Sequence, residues 1–581
     1  MPTPDSLVFG AAGFIGRALV AHLLHNGHTV AAAVRPGSGD RLTSWLDERG
    51  AERGRLIVLD CDITDPELGD VGRAGLTGIR DVYNCAALFA FGADPALARA
   101  VNIDGALHIL DWTAQLPDPR RLVHISGYRV AGPDSAEHDY DVGAYEASKS
   151  ESDAILRKRA AAAGIPLTIA NPSTVVGPGQ YIGLAELARD LWSGKLPALP
   201  GNARTLLPTL DLDYFTEFLA ALPDNPDTAG RSYTVLDPAS PPLPELIGTL
   251  ARHMHVRPPR FTIPLGLVAR LPRRLTGVDE ERLAFLAEDR YDTSAADAVA
   301  SAAGLTMPPA DTILRTWADH LVSSRFGATA ADPTAGFDNG RWVSGDNRTP
   351  DFVLLHGLPT DSEAWRPVTA ATGGSSYTID LPGLGRSAPG PDPTRYTPDE
   401  LMAAVTTRPI LVGHSLGCLP VLRYAAAHPD RIAGIVLIAP AFLQPRASWL
   451  TRLPITAPIL RRLGPDRLAA TLGVPPGPAI ESASANLRRP GVARRTVQAL
   501  RAASRPERRA EAGRLLEEVT VPVHIVAGSR DPLTTPAAAP ITVIEGAGHY
   551  PHLTHPEQVA EILTSVRHRF PHNADATGRP A

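Results

Sequence analysis

Apolar residues in this chain come in short runs set apart by amphipathic stretches. Leu7 to Gly10 is such a run; it meets glycines, and Phe14 to Asn26 then follows helical spacing. That order predicts a strand, a tight turn and a helix. His28–Val34, Leu56–Leu59, Asp81–Cys85, Leu122–Ser126 and Leu167–Ala170 are further apolar runs with helical segments between them. Strands alternating with helices imply a doubly wound parallel sheet. Pro and Gly become dense after Pro172, which suits a loop-rich substrate lobe, and Ala310 to Ser323 reads as the closing helix. A second alternation starts at Phe352–Leu355. It continues through Tyr377–Ile379, Ile410–Val412, Gly434–Ile438, Val523–Val526 and Ile541–Ile544.

The expected fold class is α/β, with two doubly wound domains in series. The expected partition is 1–323, a linker over 324–345 where periodicity is poor, and 346–570, followed by a frayed tail at 571–581. Between Phe442 and Val519 the second half carries a helical, Arg-rich insertion, expected to form a lid over about 442–519. Its Arg461, Arg462, Arg488, Arg489, Arg494, Arg495, Arg508 and Arg509 read first as a solvated helix face. Docking of an anionic carrier or coenzyme A is the alternative. The two halves share no internal repeat.

Composition narrows the picture modestly. The 581 residues are 44% hydrophobic and 20% charged, with a net charge of −6, so nothing argues for bulk nucleic-acid binding. The three cysteines, Cys61, Cys85 and Cys418, have neither disulfide nor metal spacing, which fits a reducing compartment. The longest apolar stretches, such as Gly434 to Leu443, are too short to span a bilayer. The first strand starts at Leu7, leaving no visible signal peptide. A cytoplasmic enzyme, of unknown oligomeric state, is the expectation.

Two sets of residues carry chemistry. Gly10-Ala-Ala-Gly13-Phe14-Ile15-Gly16 lies between a strand and a helix. Glycines there allow a tight turn and close approach to a pyrophosphate, and the helix N-terminus offers N–H groups to an anion. Tyr145 and Lys149 are four residues apart and share a helix face. Asp62-Ile63 follows the third strand, Asn84-Cys-Ala86-Ala the fourth, and Asn102 lies in the next helix. This set resembles the extended short-chain dehydrogenase/reductase family over most of Met1 to about Val322. The resemblance implies a nicotinamide cofactor held by Gly10, Gly13, Phe14, Ile15, Gly16, Asp62, Ile63, Ala86, Tyr145, Lys149 and Pro172. It implies that Tyr145 exchanges a proton with a substrate oxygen, its phenol acidified by the Lys149 ammonium. The second strand ends Val34-Arg35-Pro36 with no acid, which favours NADP(H) over NAD(H) through Arg35.

One position departs from the family. Aligning Val130-Ala-Gly132 puts Gly127 where a Ser or Thr hydroxyl usually polarises the carbonyl. Ser126, a backbone N–H, Tyr128 or Arg129 is left to substitute, or this half is a weakened catalyst. The usual Arg-Pro after the next strand is also replaced, by Asn171-Pro172-Ser173. The local likeness is to reductases of bulky hydroxy or keto compounds.

The second set starts at Gly413-His-Ser415-Leu416-Gly417, between the run Ile410–Val412 and a helical stretch. Gly-x-Ser-x-Gly in that setting is a nucleophile elbow, whose sharp turn demands small flanking residues. Asp531 and His549 follow in the order Ser, acid, His. From about Phe352 to Phe570 this part resembles the α/β-hydrolase fold family, with Leu355-His-Gly-Leu358 as its oxyanion loop and Asp380 to Ser387 as the next loop. The resemblance implies Ser415 as nucleophile, His549 as base, Asp531 as its orienting acid, and the N–H groups of Leu358 and Leu416 as oxyanion donors. His552 and His555 are rivals to His549. Only Arg530 to Pro540 separates the last two strands, a short crossover that strains the expected acid–histidine geometry. A Ser nucleophile excludes the Asp-nucleophile branches and leaves esters, thioesters, lactones and some C–C bonds. The whole chain therefore reads as a bifunctional NADPH-dependent oxidoreductase and serine hydrolase acting on one small metabolite, either free or carrier- or coenzyme A-linked. The alternative is a hydrolase fused to a catalytically weak NADP-binding sensor or scaffold.

Overall fold

The structure, a computed structural model, describes residues 3–89, 92–130, 140, 143–268, 270, 285–531, 533–534 and 539–570. The expected tail lies outside the described residues. Contacts divide the chain into two compact units. One comprises Met1–Leu187, Pro197–Thr249 and Pro259–Trp317, and the other Ala188–Leu196, Leu250–Pro258 and Ala318–Ala581.

The first unit is built on a seven-stranded parallel sheet. In spatial order its strands are Ser232–Val235, Leu167–Pro172, Arg121–Ile125, Asp81–Asn84, Ser6–Phe9, Val30–Val34 and Leu56–Asp60. Side chains alternate across the sheet. Leu7 and Phe9 join a core with Ile109, Leu110 and Leu156, while Val8 joins the opposite core with Leu19, Leu23 and Phe215. Ser6–Phe9 pairs with Val30–Val34 on one side and Asp81–Asn84 on the other. Strand order therefore reverses beside Ser6–Phe9, and in open α/β sheets a ligand crevice forms at the carboxyl ends of such strands. Gly10 and Ala86 lie there. The strand Ser232–Val235 extends the sheet beyond the six strands read from the sequence.

The second unit carries an eight-stranded sheet ordered Gly336–Asp338, Arg341–Gly345, Ser376–Ile379, Phe352–Leu355, Ile410–His414, Gly434–Ile438, Val523–Gly528 and Ile541–Ile544. Arg341–Gly345 runs antiparallel to both its neighbours, and the other pairs are parallel. Here the linker reading is corrected: residues 336–345 are a hairpin of this sheet. Asn339 and Gly340 have φ of 46° and 73°, the Asn-Gly turn whose twist matches paired strands. Trp342 is buried at 1% exposure, anchoring the hairpin. The inner strands are apolar throughout because both faces are covered. Leu411, Ile435 and Leu437 enter one core, and Ile410, Val412, Val436 and Ile438 the other.

Between Phe442 and Val519 lie five helices: Thr456–Arg462, Pro465–Leu472, Pro478–Arg488, Val492–Ala503 and Pro506–Glu518. The arginine reading holds for only part of the set. Arg461, Arg462, Arg488 and Arg494 are exposed. Arg489 donates to the Gly385 carbonyl at 2.8 Å and Arg495 to that of Gly383 at 2.7 Å. Arg508 pairs with Glu511 at 2.7 Å, and Arg509 donates to the carbonyls of Ala441 and Gln444. Arg489, Arg495 and Arg509 thus fasten the insertion, and Arg508 is paired within its own helix. Among the described residues no helix is long and apolar enough to cross a membrane.

Candidate active sites

In the second unit the elbow is a steric necessity. Ser415 has φ of 51°, a conformation that side chains rarely adopt. A Cβ at Gly413 would stand 2.6 Å from the Gly417 carbonyl oxygen, and one at Gly417 would stand 2.4 Å from that of Leu355. A Cβ at Gly357 would meet Ser415 Cβ at 2.8 Å, so the Leu355–Leu358 loop closes directly on the nucleophile. The strand Ile410–His414 ends at this turn, and the helix Cys418–Ala427 leaves it.

Ser415, His549 and Asp531 meet. His549 Nε2 is 2.9 Å from Ser415 Oγ, and its Nδ1 is 2.7 Å from Asp531 Oδ2. The short crossover does not prevent this, because other groups hold the acid and the histidine. The Asp531 N–H donates to Gly528 O at 3.0 Å. Gln444, buried at the start of the insertion, donates its amide N–H to the same Asp531 Oδ2. His414 Nε2 holds the His549 carbonyl at 2.8 Å, and Tyr550 Oη donates to Leu358 O at 2.8 Å. Gln444 and Tyr550 are supports that the sequence alone does not reveal, while His414 is pocket structure rather than a catalyst. Gln444 carries no motif, and only its proximity in space reveals it. His552, a rival to His549, is buried against Trp365 and His414, at centroid distances of 4.8 and 4.3 Å. Burial above all, then the neighbouring His549 and His356, pushes its pKa down to about 3, so it stays neutral. His555 bonds to Thr554 at 2.9 Å. His356 Nε2 accepts from the Leu381 N–H at 2.9 Å, tying the oxyanion loop to the Asp380 loop. That loop is pinned by buried Arg386, which pairs with Asp380 at 3.0 Å and Glu363 at 3.0 Å.

In the first unit Gly10 has φ of 71°, and a Cβ there would stand 2.7 Å from the Ala86 nitrogen. At Gly16 a Cβ would fall 2.3 Å from the Gly10 carbonyl oxygen. The helix Phe14–His25 that follows has no side-chain cap and no acid in its first turn. A glycine cradle under an uncapped helix N-terminus is the donor set that a pyrophosphate needs, so the residues present fit a dinucleotide. Arg35 is exposed at the strand end, and Arg41 reaches the Ala12 carbonyl at 3.4 Å, a second cation beside the turn. The Asp62 carboxylate accepts from the Thr64 N–H and hydroxyl at 2.9 and 2.8 Å, chiefly through which its pKa is lowered. Ile63 packs under Gly105, where a Cβ would meet Ile63 Cδ1 at 2.8 Å. Pro172 ends the strand Leu167–Pro172, and Asn171 donates to Ser232 Oγ at 2.8 Å.

Tyr145 and Lys149 open the helix Ala144–Ala163. The Tyr145 ring lies against Phe89 at 5.0 Å and Phe285 at 6.4 Å between centroids. Lys149 is 2% exposed and donates to the Ile125 carbonyl at 2.8 Å. Burial lowers its pKa to about 8, with Asp153 and Cys85 acting against that fall. Asp153 is pushed the other way by burial, up to about 6. Asn102 sits in a π-helical turn, Ala100–Asp104, and donates to Ser148 Oγ at 2.9 Å. Of the side chains that could replace a hydroxyl at 127, Tyr128 Oη reaches Phe285 O at 3.5 Å and Arg129 pairs with Glu146 at 2.7 Å, while Ser126 Oγ is buried with no hydrogen-bond partner among the described residues. Among the described residues a Cβ at Gly127 meets nothing nearer than Val130 Cγ2 at 3.9 Å.

A parallel sheet with an elbow and an assembled Ser–His–Asp set, and a second one with a glycine cradle and a Tyr/Lys helix, define two enzyme classes in one chain. Residues 352–562 match the alpha/beta hydrolase family, and residues 6–205 match the NAD dependent epimerase/dehydratase family. The chain belongs to the alpha/beta hydrolase family and joins to it a domain of the NAD dependent epimerase/dehydratase family; both are families of enzymes. A pimeloyl-[acyl-carrier protein] methyl ester esterase of Aromatoleum aromaticum is 30% identical over 257 residues, covering 37% of this chain and 98% of that protein. The protein of the same name from Photorhabdus laumondii is 35% identical over 101 residues, 17% of this chain and 39% of its own. Sterol demethylase protein B of Methylococcus capsulatus is 30% identical over 223 residues, 36% of this chain and 63% of its own. Against several curated relatives the chain spans only 30% to 39% of their length.

Proposed function

We propose that the chain is a bifunctional enzyme: an NADPH-dependent oxidoreductase of a carbonyl or hydroxyl carbon, and a serine hydrolase of an ester, thioester or lactone. The observation that supports it most is the Ser415–His549–Asp531 relay, with contacts of 2.9 and 2.7 Å. Ser415 Oγ attacks the acyl carbon while His549 Nε2 takes its proton. The Leu358 and Leu416 N–H groups stabilise the oxyanion. Collapse expels the alcohol or thiol, which leaves with the proton from His549. Water, deprotonated by His549, then releases the acid and restores Ser415. Gln444 and His414 hold the acid and the base in place.

In the reductase half a bound nicotinamide would supply or accept the hydride. Gly10, Gly13 and Gly16 would admit the pyrophosphate to the N–H groups at Phe14 and Ile15. Arg35 would pair with the ribose 2′-phosphate, and Lys149 would hold the nicotinamide ribose and keep the Tyr145 phenol acidic. Tyr145 gives its proton to the substrate oxygen in reduction. Its aromatic surroundings, Phe89 and Phe285, suit a bulky, largely apolar substrate, and the sterol relative's name agrees with that class. The pimeloyl relatives' names suggest a carrier-linked acyl ester for the hydrolase half. One metabolite passing through both steps in the cytoplasm is the economical reading of the fusion. The second reading, a weak reductase serving as a cofactor-binding scaffold, is favoured by Gly127 and by the engagement of Tyr128 and Arg129 with Phe285 and Glu146.

The test is a pair of assays on the whole chain. NADPH should be consumed steadily with bulky ketones or aldehydes, and short acyl esters should be hydrolysed. Removing the Arg35 guanidinium by Arg35→Ala should weaken NADPH by about 1.5–3 kcal/mol and leave NADH unchanged. Binding of NADPH with no turnover on any carbonyl would leave the scaffold reading standing. Absence of esterase activity would sink the hydrolase assignment.

A further inference from the structure

The helix Thr456–Arg462 already has an inner face. Ala457 and Leu460 pack against the insertion's own core of Leu468, Ile480, Leu487 and Tyr550. A surface helix with a buried stripe is expected to be polar on its other side. Here that side is apolar as well: Ile455 and Ile459 stand 63% and 52% exposed. The turn before them exposes Trp449 at 64%, Leu450 at 55% and Leu453 at 37%. Of the twelve large hydrophobics exposed among the described residues, these five fall in one short segment, so they form a patch rather than scatter. Charge accompanies it. Between Ala441 and Gly464 the chain has Arg446, Arg452, Arg461 and Arg462 and no Asp or Glu, within a chain of net charge −6.

We propose that this strip docks the insertion onto an anionic lipid surface. Trp, Leu and Ile side chains at the headgroup boundary leave water, while arginines beside them meet lipid phosphates. The charge complementarity selects an anionic surface over a neutral one. The form of the segment selects a bilayer over a protein. It is a single 3-10 turn and a two-turn helix interrupted by Pro454 and Pro458, not the long helix face or strand edge that peptide partners read. Tyr550, which follows His549, shares the core beneath the strip, so a docked surface lies over the layer next to the hydrolase residues. The proposal does not depend on the reaction assigned to either site.

Co-flotation of the full chain with vesicles decides it. The chain should float with phosphatidylcholine–phosphatidylglycerol vesicles, not with phosphatidylcholine alone, and high salt should release it. Trp449→Ser combined with Ile455→Ser should cut the bound fraction by about tenfold or more, since both lose buried apolar area. Arg461→Glu with Arg462→Glu should do the same through charge. Each variant should keep the wild-type circular dichroism spectrum and melting temperature, which shows that the insertion remains folded. Failure of the wild type to float, equal binding to both vesicles, or binding unchanged in either double variant would overturn the proposal. So would retention of a purified acidic carrier protein without vesicle binding, or self-association lost in the Trp449/Ile455 variant without vesicle binding.

Discussion

The two sites are finished to different degrees. Around Ser415 every neighbour converges: the base, the acid, Gln444 on the acid, His414 on the base and a glycine at each close approach. Around Tyr145 the phenol and Lys149 share one helix, while position 127 is a glycine at which a Cβ would meet no described atom nearer than 3.9 Å. Packing explains the first pattern, since each glycine of the elbow would collide with backbone if substituted. It does not explain the second.

Substituting the nucleophile should break the comparison most severely. Ser415→Ala and His549→Ala should each lower ester turnover by on the order of 10⁶-fold, because the members act as one unit. Asp531→Asn should cost roughly 10⁴-fold by favouring the wrong imidazole tautomer. A silent Asp531→Asn would move the acid role elsewhere. Gln444→Ala should cost about ten- to a hundredfold, the worth of a hydrogen bond to a charged group, mostly in kcat. An unaltered kcat would reduce Gln444 to packing.

The reductase side sharpens the contrast in the other direction. Gly127→Ser should raise carbonyl reduction by roughly tenfold by restoring a donor to the substrate oxygen. If activity falls instead, the open space at 127 belongs to the substrate. The smallest effect is a shift in pH. Burial holds Lys149 near pKa 8, below the ordinary lysine value, so its ammonium is present below pH 8 and lost above it. Reduction should therefore decline as pH rises through about 8. Asp153→Asn removes a carboxylate that keeps this pKa up, so the decline should begin at lower pH. A pH profile that does not move would show that the Lys149 charge is not required. The same burial disfavours the proton in the folded state, so this group's contribution to stability increases as pH rises from about 8 towards the unfolded lysine value.

Much of this was legible in the chain. Parallel strands buried on both faces announce themselves as apolar runs, and both glycine motifs carry steric demands that read directly from spacing. The hairpin at 336–345 was not read, although Asn339-Gly340 is a strong turn signal, because the surrounding Gly, Ala, Asp and Thr mask its two short strands. Ser232–Val235 was overlooked for its polar alternation at a sheet edge. Three of the eight named arginines, Arg489, Arg495 and Arg509, read as solvated because sequence does not show carbonyls such as those of Gly383 and Gly385 waiting for them. Gln444 was invisible for the same reason: it acts on Asp531 across a long stretch of chain.

The central claim is that one chain carries two separate catalysts, and blocking one while reading the other tests it most directly. A fluorophosphonate should label wild-type protein at Ser415 and leave Ser415→Ala unlabelled. The fully labelled wild type should lose ester hydrolysis and continue to oxidise NADPH with a carbonyl substrate at its former rate. Loss of NADPH oxidation on labelling, or labelling that persists in Ser415→Ala, would contradict it.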